Sequence, residues 1–93
     1  MIINESQYRN LMARIHETNP EALEIPGADC ALIGIVSRCG MTETLCYDFD
    51  ALVEHFMEAN GWGEPEAQEW VETQIAGAYV GEGTPMILER PQY

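Results

Sequence analysis

The sequence predicts one α+β domain over residues 1–93, a small three-stranded antiparallel sheet backed by helices in the order α-β-β-α-α-β. Three observations lead there. Apolar residues recur at helical spacing in three separate stretches. The continuous apolar run Ala31–Ser37, with β-branched Ile33, Ile35 and Val36, has the character of a buried strand, and a turn with a short apolar return follows it. No repeat, linker or low-complexity segment divides the chain, and 93 residues are enough for a single modest core.

The elements follow in chain order. Residues 5–18 form the first predicted helix, with Tyr8, Leu11, Met12 and Ile15 at i, i+3, i+4 and i+7 on one stripe. Asn19-Pro20 stops it, because the residue before a proline avoids helical backbone. Pro26-Gly27 marks a turn in the loop 20–28. The strand Ala31–Ser37 then turns through Arg38-Cys39-Gly40-Met41 and returns over Thr44–Tyr47 as a hairpin, with Gly34 marking a bulge or close packing. Asp48 is an N-cap for the second helix, whose stripe is Phe49, Leu52, Val53, Phe56 and Met57, and Asn60-Gly61 ends it. Pro65 suits the first position of a third helix with Ala67, Trp70, Val71, Ile75 and Ala78 on its apolar side. Gly81–Pro85 turns the chain into a last short strand, Met86–Leu88.

Charge is the outlying property. Sixteen acids face four arginines and no lysine, a formal net charge of −12. Between Arg38 and Arg90 the chain carries eleven acids and neither lysine nor arginine. Such a field repels nucleic acid and anionic membranes and attracts basic protein surfaces. Direct nucleic-acid binding is therefore disfavoured. Acidity also serves solubility and adaptation to high salt, so it does not by itself define a site.

The usual catalytic and metal-binding patterns lack parts. Cys30, Cys39 and Cys46 have neither Cys-x-x-Cys spacing nor a paired histidine motif, so no metal is expected. An odd cysteine count excludes a complete disulfide framework and fits a reducing cytoplasm. Arg38 beside Cys39 would favour a thiolate, but neither His16 nor His55 is placed next to it by the sequence. Gly81–Pro85 has no lysine and precedes a strand, so it is no phosphate loop. The acids never take the alternating spacing of a calcium loop. No cofactor and no enzymatic activity are expected. No run approaches bilayer-spanning length and no secretory signal is visible, which gives a cytoplasmic expectation.

The acidic helices supply the candidate site. Asp50, Glu54 and Glu58 fall at i, i+4 and i+8 on the second helix, and Glu66, Glu69 and Glu72 lie on the third. Like charges four apart oppose a helix by a few tenths of a kcal/mol per pair, roughly, so the column costs stability without local compensation. Four residues of helix rise about 6 Å, the scale of phosphate spacing along a nucleic-acid strand. Trp62, between Gly61 and Gly63, is a candidate anchor for a partner, or it folds back onto the core. Trp70, on the apolar stripe, is expected in the core.

The stretches ALIGIVSRCGM, LCYDFDALVEHFME and IAGAYVGEGTPMIL, from Ala31 to Leu88, resemble a group of small proteins encoded by bacteriophages and prophages. The hallmark is the block Gly77–Pro85, and residues 1–28 lie outside the resemblance. The resemblance carries over no functional residue. As context it implies an inhibitor of host machinery, of the anti-CRISPR kind, that occupies a basic nucleic-acid-binding surface of a host defence complex in the bacterial cytoplasm. The alternative is a phage structural or regulatory accessory protein that self-assembles as a homo-oligomer.

Overall fold

The computed structural model describes residues 2–77, 81 and 83–91. Helix α1 spans Glu5–Thr18, as its stripe predicts. Asn4 caps it with a reciprocal box: its side chain accepts from the Gln7 N–H at 2.8 Å, and Gln7 Oε1 accepts from the Asn4 N–H at 2.9 Å. Asn19 ends the helix and is itself buried, its amide donating to the Glu43 carbonyl at 2.8 Å and so fastening the loop to the sheet.

A 3-10 turn, Asp29–Ala31, leads into β1, Leu32–Arg38. Gly40, at φ 82°, turns the chain into β2, Met41–Asp48, longer than the predicted Thr44–Tyr47. The two strands pair antiparallel, with register shifts between Leu32 and Gly34 and between Val36 and Arg38. Helix α2 follows over Phe49–Asn60, with Asp48 as N-cap and Gly61 in the left-handed conformation at its end. Helix α3 spans Glu64–Trp70 and then widens into a π-helical turn, Val71–Ile75, whose closing bond runs from the Ala76 N–H to the Val71 carbonyl at 2.7 Å. Strand β3 is Met86–Leu88.

The class is α+β, with three helices and a three-stranded sheet in the order β1-β2-β3 among the described residues. Two corrections apply to the expected layout. The sheet is mixed, because β3 pairs parallel to β2 through Cys46–Met86, Tyr47–Ile87 and Asp48–Leu88. The connection through α2 and α3 is a crossover, which carries the chain back to the end where β2 began, so β3 must run in the same direction. The element order also gains two short turns, the 3-10 turn before β1 and the π turn after α3. The third helix itself begins at Glu64, one residue before Pro65, and the expected apolar position Ala78 lies outside the described residues.

One core joins the layers. Ile15, Leu32, Leu45, Tyr47, Leu52 and Val71 are almost fully buried in it. Tyr8, Leu11 and Met12 pack against it from α1, and Ile35 and Ile87 from the flanking strands. Central β2 is the most enclosed strand, buried from Thr44 to Asp48.

The glycine-rich turn docks on the first loop. The Leu23 N–H donates to the Gly83 carbonyl at 2.9 Å. A Cβ at Gly83 would press into the Glu21 carbonyl, well inside van der Waals contact, so this position requires glycine. Among the described residues, no helix is long and apolar enough to cross a membrane.

Candidate functional site

The acidic side chains lie on the side of the fold built by α2, α3 and their link. Asp50, Glu54, Glu58, Glu66, Glu69 and Glu72 are all exposed. They do not form one continuous column. Asp50 and Glu54 line a groove of about 370 Å³ with Phe49, Val53 and Met57 of α2 and with Glu64 and Gln68 of α3. Glu54 and Glu58 also border a second hollow, of about 290 Å³, beside His55, Cys30 and Ile2. Glu66 and Glu69 line a third, of about 360 Å³, with Trp62, Trp70, Thr73 and Gln74. Glu72 borders none of the three. The helices thus bring Asp50 and Glu54 together with Glu64, and Trp62 together with Glu66 and Glu69.

Trp62 takes the second of its two expected places, folded back onto the core, and Trp70 departs from its expected one. Trp62 is half-buried and packs against the core, whereas Trp70 is 40% exposed. The reason is helical geometry. Ala67 and Val71, four residues apart, take the inward line of α3, and Trp70 is left on its flank. There its ring meets Trp62 at 5.4 Å between centroids with planes inclined 58°, and Phe56 edge-on at 6.5 Å. The hydrophobic stripe in the sequence could not separate an inward tryptophan from a flanking one. Glu64 was also missed, though its place in the first turn of α3 beside the helix link was a usable signal.

The arginines that form ion pairs serve the fold. Among the described residues the pairs are Arg14 with Glu43 at 2.8 Å and Arg90 with Asp48 at 2.9 Å. The second is a fork. Arg90 Nε donates to Asp48 Oδ1, and Nη2 donates to Oδ2 at 3.0 Å. Asp48 is buried, and its Oδ2 also caps α2 by accepting from the Ala51 N–H at 3.0 Å. The carboxylate holds the Arg90 guanidinium above its ordinary value through these bonds and its charge. Neither pair involves Glu54, Glu58, Glu64, Glu66, Glu69 or Glu72.

The cysteines occupy three environments. Cys39 is exposed in the hairpin turn, Cys30 is half-buried, and Cys46 is buried in β2. Burial, and then the nearby Asp48 charge, push the Cys46 thiol up. Cys30 Sγ lies 3.9 Å from His55 Nδ1, a pair that sequence spacing gave no reason to expect. Among the described residues, no group of three or more His, Cys, Asp and Glu is placed to hold a metal ion.

Set against known proteins, the chain matches no family model, no curated protein and no solved structure.

Proposed function

We propose that this protein is a phage-encoded acidic inhibitor, anti-CRISPR-like and not an enzyme, that binds a basic nucleic-acid-binding surface of a host defence complex in the bacterial cytoplasm. The observation that carries the reading is the exposed acidic side chains on α2 and α3, of which Glu54, Glu58, Glu64, Glu66, Glu69 and Glu72 take no part in the two described ion pairs. A rigid helical surface with this charge offers a lysine- and arginine-lined groove what a phosphate backbone offers it. Long-range attraction then speeds encounter, and the apolar walls contributed by Phe49, Val53 and Met57 supply a drier contact.

The test is capture from a lysate of the natural host with the protein as bait, washed at low and then high salt. A stoichiometric nucleic-acid enzyme, released by salt or displaced by DNA or RNA, is the expected result. The variant Asp50→Lys/Glu54→Lys/Glu58→Lys should keep the fold and lose most of the captured partner. Undiminished capture by that variant removes α2 from the interface.

A second reading, a self-assembling structural or regulatory phage protein, is favoured by one observation. Met86 and Leu88 of the edge strand β3 are 42% and 45% exposed. It predicts a defined oligomer whose sedimentation is insensitive to salt.

A further inference from the structure

We infer that the cleft between the helix link and α3 is a receptor for an arginine side chain of the partner protein. The inference rests on the proposed acidic-inhibitor reading and gives that surface a specific chemical preference.

The cleft combines two features that recognise a planar cation together. One is an aromatic wall: Trp70, 40% exposed, is backed by Phe56 and set against Trp62 at 5.4 Å. The indole lies on the flank of α3, because the inward positions of the helix are filled by Ala67 and Val71, so part of it stays open to the cleft. The other is carboxylate: Glu66 and Glu69 line the same cleft, Glu66 one helical turn before Trp70. Thr73 and Gln74, on the π turn, also line it, the Thr73 hydroxyl donating to the Glu69 carbonyl at 2.8 Å. The π turn shifts the side chains that follow it relative to a continuing α-helix, and such turns are frequent at functional sites.

Arginine fits this combination better than lysine. Its guanidinium is flat and weakly hydrated, so it stacks on an indole face while its edge N–H groups reach carboxylates. A lysine ammonium keeps its water and offers no plane to stack. The cleft's volume of about 360 Å³ and its shallow, open form suit a side chain presented from a protein surface.

Two peptides of equal length and charge, one carrying arginines and the other lysines, test this by titration of tryptophan fluorescence and by calorimetry at physiological salt. The arginine peptide should bind about tenfold more tightly. Glu66→Gln/Glu69→Gln, which changes only exposed side chains, should reduce that preference to near unity, as should Trp70→Leu. Asp50→Asn/Glu54→Gln/Glu58→Gln should weaken both peptides by a similar factor and leave the preference intact. Equal affinities that fall together in this last variant overturn the arginine receptor and leave the acidic surface standing. An arginine preference that survives both cleft variants likewise overturns it. Failure of both peptides to bind overturns the receptor and the acidic-surface reading together.

Discussion

Arg90 grips the buried carboxylate of Asp48 with two parallel bonds, and the same carboxylate caps α2. One side chain therefore joins the end of β2, the start of α2 and the segment after β3. Replacing Asp48 with alanine should cost at least about 1–2 kcal/mol from the lost cap alone. Arg90→Ala leaves the cap and should act more locally, with faster amide exchange at the β2–β3 pairing than elsewhere in the sheet. Uniform exchange in that variant would show that the fork does not hold β3 in place.

Tyr47 should make the protein sensitive to alkali. Burial pushes its phenol up to about 12 from 10.0, against a smaller opposing effect of the bond its oxygen accepts from the Ile25 N–H at 3.1 Å, and Glu24 and Asp29 add to the rise. The folded protein holds this proton after the unfolded chain has released it. Its stabilisation is complete below pH 10 and declines as pH rises through about 12, by an amount on the order of 2–3 kcal/mol. Tyr47→Phe leaves the Ile25 N–H without its partner, at about 1–3 kcal/mol near neutrality. Denaturant unfolding between pH 8 and 11.5 should show the gap between wild type and variant narrowing above pH 10.

Gly83→Ala should destabilise by about 1–3 kcal/mol through overpacking against the Glu21 carbonyl. For a domain of this size that lowers the melting temperature by several degrees, roughly 4–8 °C per kcal/mol. Gly34→Ala is the matched control. An added Cβ there meets nothing within 4 Å, and the expected change is within about 0.5 kcal/mol.

The thiols should alkylate in the order Cys39, Cys30, Cys46. Cys39 is exposed and Cys30 half-buried, while Cys46 is buried with its thiol pushed up. Limited iodoacetamide treatment followed by peptide mass spectrometry reads the order directly. Early modification of Cys46 would mean that β2 opens readily in the native state.

Local features of the fold were legible because their causes are local. The stripe Tyr8–Ile15, the capping Asp48 and the stop at Asn60-Gly61 act over a few residues, and α1 and α2 lie where those signals put them. The direction of β3 was not legible. It follows from the path of two helices across the sheet, and the composition of Met86–Leu88 suits either direction. The candidate site divides in the same way. Exposure of the acids followed from their positions on amphipathic helices, but their distribution among three hollows depends on how α2 meets α3. Trp70 shows the limit most directly: a tryptophan on an apolar stripe looks like core until the inward line is known to be filled by Ala67 and Val71.

The parallel pairing of β3 has a consequence for the order of folding. Central β2 meets β1 through a tight hairpin, a local contact, but its other edge pairs with Met86–Leu88 only after the whole path through α2 and α3 has closed. Until then Cys46 and Tyr47 stand on an unpaired strand edge, the kind of surface that templates misassembly. The non-local β2–β3 contact, rather than the hairpin, therefore sets how long the folding chain stays open to that fate.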